Sequence, residues 1–287
     1  MKKTFVIFLS ALIFCSCSKK QITPPMAKNF VQTNGECVKI GGISVKTNSP
    51  LNTEKFKQFK WRDDELGKIQ NSHEPDAIDK FVKGAWALAK DYPDKVSGYQ
   101  DIMAATEDYE YLGQPDKART LAKELINSTA PERFKIWAKG LLNRLDSIGK
   151  PVALQFTAVD GREVNLANMK GKVVLVDFWE DDMELARVKA AYDKYHGQGF
   201  EVIGIYCYQD RTQMNNILKE KGYPWPQFFD GQNGKFTHDF GIDGEHMFLV
   251  DKKGCLRFDN VRVGDDVHPK GDTTSFEEKI SELLSEP

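Results

Sequence analysis

The sequence predicts an α/β fold, a three-layer C-terminal domain preceded by an N-terminal α-helical hairpin domain. Three observations carry this. Residues 149–287 alternate short apolar runs with amphipathic stretches, in the order β-α-β-α-β-β-α expected of helices packed on both faces of a sheet. Residues 173–179 (VVLVDFW) form one apolar run around Asp177, as strands buried on both faces do. Between residues 54 and 148, apolar positions recur at three-and-four spacing between proline and glycine stops, which is the helical period.

The helical region divides at its breakers. Residues 76–91 place Ile78, Phe81, Val82, Ala85, Leu88 and Ala89 on one face, and Pro93 ends the run. A second helix is predicted over 96–112, stopped at Gly113-Gln114-Pro115, and a third over 115–127. A fourth starts at Ala130-Pro131-Glu132, with Phe134, Trp137, Ala138, Leu141, Leu142 and Leu145 as its apolar stripe. Amphipathic helices joined by short turns make helical hairpins. Residues 99–131 loosely resemble a tetratricopeptide repeat at Tyr109, Ala118 and Pro131. One such unit cannot bury its own face, so it is expected to pack on a neighbouring hairpin or on the next domain.

In the C-terminal domain, strands are predicted at 153–157, 173–179, 200–207, 226–230, 247–251 and 256–260. Helices are predicted at 183–195, 212–221 and 276–284, with a helical turn at 236–240. Asp160-Gly161 and Asp251-Lys252-Lys253-Gly254 read as turns. Ahead of the helices, residues 18–53 read as a tether and irregular segment, with one short strand expected within 40–46.

The first seventeen residues differ from the rest. Lys2 and Lys3 precede an apolar run at 4–14 (TFVIFLSALIF), followed by Cys15-Ser16-Cys17. This is the order of a secretory signal, and it resembles a bacterial lipoprotein signal, cleaved before a cysteine that is then lipidated. Cys17 fits that role better than Cys15, because small Ser16 precedes it whereas bulky Phe14 precedes Cys15. The alternative is an uncleaved N-terminal anchor, against which stand the short apolar run and the switch to Ser18-Lys19-Lys20-Gln21. Lipidation implies a chain exported to the cell envelope and held on a membrane by acyl chains. No run after residue 20 is apolar for long enough to span a bilayer. The net charge of −2, from 40 Lys+Arg against 42 Asp+Glu, offers no basic surplus for nucleic acid.

The C-terminal domain resembles a known family. Gly149-Lys150-Pro151-Val152, Asp160-Gly161-Arg162-Glu163-Val164-Asn165-Leu166 and Lys170-Gly171-Lys172 running into Val173–Trp179 are similar to thioredoxin-like proteins of the TlpA/ResA type, within the AhpC/TSA-like group. The segments 199–205 (GFEVIGI), 225–230 (WPQFFD) and 248–254 (FLVDKKG) agree with it in order and spacing. The resemblance covers residues 149–287 and implies an exported, membrane-tethered thiol-disulfide oxidoreductase. That chemistry requires a Cys-x-x-Cys after Phe178-Trp179, with its first sulfur near a helix N-terminus that lowers the thiol pKa. Here Phe178-Trp179 is followed by Glu180-Asp181-Asp182-Met183-Glu184-Leu185-Ala186, a loop about five residues shorter than the family pattern. The family also carries a proline, usually cis, where this chain has Glu245. Two separate parts of the redox site are missing together.

Asp177 matches the buried acid that assists proton transfer in thioredoxins; without a neighbouring thiol it reads as a solvated or hydrogen-bonded strand-end carboxylate. Cys207 is expected on the same sheet edge, either as a lone reactive thiol or as a small buried residue. Cys255 should lie two intervening strands away, about 14 Å, too far for a disulfide. Cys37 falls outside the domain. Glu180, Asp181, Asp182, Glu245 and His246 are expected at one edge, either as a cation site or as a solvated acidic helix start. No ligand spacing supports a metal, and no cofactor is implied.

The reading is a lipid-anchored, redox-inactive binding or scaffold module with an unidentified protein partner. The alternative is a thiol-disulfide oxidoreductase or peroxidase-like enzyme working through one cysteine. Cys17→Ser is expected to release the protein from membranes on fractionation; an unchanged membrane fraction would place the anchor elsewhere.

Overall fold

A computed structural model describes residues 37–40, 43–46, 77–93, 96–263 and 274–287. Cys15, Cys17, the signal and most of the tether lie outside the described residues. The chain divides into two compact units, Met1–Gly84 and Ala85–Pro287.

In the first unit, residues 37–46 form two strands rather than one: β1 (Cys37–Ile40) pairs antiparallel with β2 (Ile43–Lys46), Cys37 opposite Lys46. Helix α1 (Ala77–Asp91) runs across the boundary between the units.

The second unit begins with three helices, α2 (Ser97–Tyr111), α3 (Pro115–Asn127) and α4 (Glu132–Asp146). Pro115 occupies the first turn of α3, where its missing N–H has no intrahelical partner to lose. The apolar stripes face inward: Ala118, Leu121, Ala122 and Leu125 of α3 and Phe134, Trp137, Ala138, Leu141 and Leu145 of α4 are buried. Leu142 sits at the margin of its stripe, half-buried.

The α/β part carries β5 (Val173–Trp179), β6 (Phe200–Tyr206), β7 (Gln227–Phe229), β8 (His246–Val250) and β9 (Leu256–Phe258) in one five-stranded sheet, ordered β7-β6-β5-β8-β9. β5 pairs parallel with β6 and antiparallel with β8. The expected strand at 153–157 does not join this sheet. β3 (Gln155–Thr157) folds back on β4 (Glu163–Asn165) across the turn at Asp160-Gly161 and forms a separate hairpin.

Every residue of β5 is buried, with its side chains alternating between two cores. Val173, Leu175 and Trp179 face α5 (Leu185–Tyr195) and α8 (Phe276–Ser285); Val174, Val176 and Phe178 face the β3–β4 hairpin and α7 (Lys235–Phe240). α6 (Arg211–Lys221) starts at Asp210, whose side chain accepts from the Thr212 and Gln213 N–H groups. Helix α8 opens with a capping box between Ser275 and Glu278. α5 begins at Leu185, two residues later than its apolar spacing suggests, so Met183 and Glu184 belong to the loop.

The helical region meets the α/β part through α4 and α7, within backbone distance. A Cβ on Gly140 would lie 1.9 Å from the His238 carbonyl oxygen, and one on Gly241 would lie 2.0 Å from the Leu141 nitrogen. Gly241 also holds φ +60 at the end of α7, a conformation that glycine adopts without strain. The hairpins therefore pack on the next domain, one of the two arrangements their unpaired faces required. Cys207 and Cys255 are both free. Strands β5 and β8 lie between β6, which ends just before Cys207, and β9, which begins just after Cys255. This is the separation the sequence predicts.

Candidate functional site

Because β8 runs against β5 and β6, its start shares an edge with their C-terminal ends. Trp179 closes β5 in a buried setting, its Nε1–H donating to Gln227 Oε1 at 3.0 Å. The loop after it is built from carboxylates. Asp181 Oδ1 accepts from the Met183 N–H at 2.8 Å, and Asp182 pairs with Lys221 at 3.1 Å. Met183 is 74% exposed.

Glu245 stands against this loop. Burial, followed by the charges of Asp181 and Glu184, raises its pKa, against the smaller lowering effect of the Glu180 and Asp181 backbone N–H groups. Glu180 is pushed up to about 7 by burial, then by Glu245, Asp243 and Asp181. No peptide among the described residues is cis. The edge is thus a field of carboxyl groups that disfavour one another's ionisation.

Asp177 corrects its expected setting. It is 0% exposed, and neither carboxyl oxygen has a hydrogen-bond partner among the described residues. Burial drives its pKa well above the carboxylate range, and Glu184 and Glu245 add to the shift. The physical reason is register: Asp177 lies opposite Met247 in the middle of the sheet, on the core face it shares with Leu175 and Trp179.

Cys207 follows β6 at the same edge and is buried. Its Sγ lies 3.4 Å from the carbonyl oxygens of Trp179 and Gly244, both acceptors for a thiol proton. Burial and then the carboxylates of Glu180, Glu245 and Asp177 push its pKa well above the ordinary thiol value. A nucleophilic cysteine needs the opposite surroundings.

His246 does not join the carboxylates, which corrects the expected cluster. Side chains alternate along a strand, and His246 lies opposite Phe178 on the face toward α7. There its Nε2 meets Asp259 Oδ1 at 2.7 Å and Arg144 at 3.1 Å. Arg144 is 2% exposed and donates to the Phe240 carbonyl at 3.0 Å, to Glu110 at 3.1 Å and to Asp259. Burial opposes its charge, but Asp259 and then Glu110 keep the guanidinium protonated. Asp259 stays ionised: Arg144 and then His246 overcome the effect of its burial. Burial holds His246 neutral down to about pH 4.

Sequence reasoning missed Arg144, Glu110 and Asp259. One signal existed for Arg144: it stands seven residues after Trp137 and three after Leu141, inside the apolar stripe of α4. Asp243, Glu184 and Glu107 were missed too, and they extend the carboxyl field. Glu107 is raised by burial and then by Asp243. Among the described residues, no group of His, Cys, Asp and Glu is arranged to hold a metal ion.

Residues 143–275 match the Redoxin family. The chain is 32% identical over 117 residues to the thiol:disulfide interchange protein DsbE of Escherichia coli K12, covering 40% of this chain and 59% of that protein. It is 26% identical over 104 residues to the thiol-disulfide oxidoreductase ResA of Bacillus thuringiensis, covering 34% and 60%. The chain therefore spans about three fifths of the length of these curated relatives. Among solved structures, the thioredoxin domain of a Bacteroides vulgatus thiol-disulfide oxidoreductase aligns with 23% identity over 47% of this chain and 94% of that chain, at a TM-score of 0.37.

The carboxyl field has a pH signature. Glu180 titrates near 4.5 when solvated and near 7 in the fold. Between those values the folded state holds a proton that the unfolded state has lost, so this group's contribution to stability falls as pH rises. The lowered pKa of His246 acts in the opposite sense, and removing Glu180 leaves that contribution in place. Glu180→Gln is thus expected to gain stability over the parent progressively from about pH 4.5 to 7 and then level off, followed as Tm against pH. A flat or declining difference would contradict the assignment.

Proposed function

We propose that this chain, whose C-terminal half is a thioredoxin-like domain of the TlpA/ResA type, is a redox-silent binding module held on a membrane surface. One observation carries the proposal: the junction after Trp179 presents Glu180, Asp181, Asp182 and Glu184 where disulfide exchange needs thiols. The nearest thiol, Cys207, is buried under the same carboxylates, with its proton between carbonyl acceptors.

The relatives' names describe thiol-disulfide chemistry. In this chain the fold is retained and the chemistry is not. What remains is a rigid sheet edge with an unusual charge pattern and a helical region packed against the same domain, both suited to holding a partner. The leader at residues 1–17 supports export to the cell envelope and a lipid on Cys17. Among the described residues, no helix is long and apolar enough to cross a membrane, so attachment is assigned to the lipid.

The test is turnover. The purified protein is expected to reduce insulin with dithiothreitol no faster than background, and to consume peroxide no faster, with Cys207→Ser indistinguishable from the parent in both assays. Substantial turnover lost in Cys207→Ser would replace the binding module with a one-cysteine enzyme.

A further inference from the structure

The carboxyl edge has less counter-charge than charge: Lys221 pairs with Asp182, and Arg133 acts on Asp243. Asp182 is paired with Lys221, but among the described residues no ion pair reaches Glu180, Asp181, Glu184, Asp243 or Glu245. Beneath them lie two fully buried polar groups without hydrogen-bond partners, the carboxyl oxygens of Asp177 and the Tyr206 hydroxyl. Glu184 and Glu245 are the charges that act most on Asp177; Asp210, Cys207 and Glu180 act on Tyr206. A protein rarely leaves such groups unsatisfied. Here they lie beneath a group of carboxylates in which, among the described residues, Asp182 alone is ion-paired, to Lys221.

We propose that this edge seats a basic segment of a protein partner, with a lysine or arginine side chain placed among Glu180, Glu184 and Glu245. The proposal rests on the binding-module reading and names its partner class. Charge complementarity selects the occupant. A hard metal ion requires several oxygens converging on one point, and no such group exists among the described residues. An ammonium or guanidinium needs only carboxylates along its perimeter and makes charge-assisted hydrogen bonds with them. Exposed Met183 offers its thioether to the aliphatic stem of such a side chain.

Binding should also move protons. The groups facing the site are Asp177, Tyr206 and Cys207 from the sheet, Glu180, Asp181, Asp182 with its partner Lys221, and Glu184 before α5, and Asp243 and Glu245 before β8, with Glu107 of α2 and Arg133 of α4 acting on or beside Asp243. Glu180 and Glu245 are held back from ionising by burial and by their neighbours, so a cation seated beside them favours their ionised forms and releases protons.

The experiment is calorimetric titration of the full chain with an oligolysine peptide at neutral pH, repeated in buffers of different ionisation heat. Binding with net proton release is expected. Glu180→Gln/Glu245→Gln should weaken it about tenfold, roughly 1.4 kcal/mol, and release fewer protons. A control in exposed acids elsewhere, Glu124→Gln/Glu282→Gln, should change it by less than about twofold, roughly 0.4 kcal/mol. No binding, or equal weakening in the control, overturns the proposal; so does stoichiometric calcium binding that displaces the peptide, which assigns the edge to a metal. A protein silent toward insulin that also ignores oligolysine loses this inference alone, whereas Cys207-dependent turnover removes the reading beneath it.

Discussion

A guanidinium taken almost wholly out of water must find fixed partners, since an unpaired buried charge costs several kcal/mol. Arg144 finds them on four separate parts of the chain: Glu110 of α2, the Phe240 carbonyl at the end of α7, His246 at the start of β8, and Asp259 after β9. Removing one partner from such a group typically costs roughly 3–5 kcal/mol. The contact therefore fixes where α4 lies on the α/β part and where β8 begins. The glycine pair Gly140 and Gly241 lets the two helices approach closely enough for the Arg144 side chain to reach.

The position of β8 in turn sets the chemistry of the opposite face. With His246 turned toward Arg144, the preceding Glu245 is brought to the loop after β5, where its charge is the one that acts most on Glu180. The two departures from the family pattern are thus physically linked. What the edge gains in negative charge, Cys207 loses in acidity.

Much of the fold was legible because it rests on patterns local in sequence. The apolar run of β5, the helices of 77–146 broken at proline and glycine, and the turn at 251–254 each declare themselves within a few residues. The identity of the edge was legible too: Glu180, Asp181, Asp182 and Glu245 were placed there by a resemblance that runs along the whole domain. Strand parity and long-range pairing were not legible. His246 was assigned to the carboxylates because it follows Glu245, but successive strand residues point to opposite faces. Asp177, with no thiol beside it, reads from sequence as a solvated or hydrogen-bonded strand-end carboxylate, whereas its register opposite Met247 buries it without a hydrogen-bond partner among the described residues. The Arg144 network joins residues 34, 102 and 115 positions apart, and no periodicity reports a contact at that range.

The central claim is that Cys207, the thiol at this sheet edge among the described residues, is kept protonated and inaccessible. Its most direct measurement is the rate at which Cys207 is alkylated by iodoacetamide across pH, read by mass spectrometry in native and unfolded protein, with half-buried Cys255 as an internal reference. In the native protein Cys207 should react far more slowly than in the unfolded chain throughout the neutral range, and more slowly than Cys255. Alkylation of native Cys207 at neutral pH as fast as in the unfolded chain, or faster, would show a thiolate at this edge and contradict the claim.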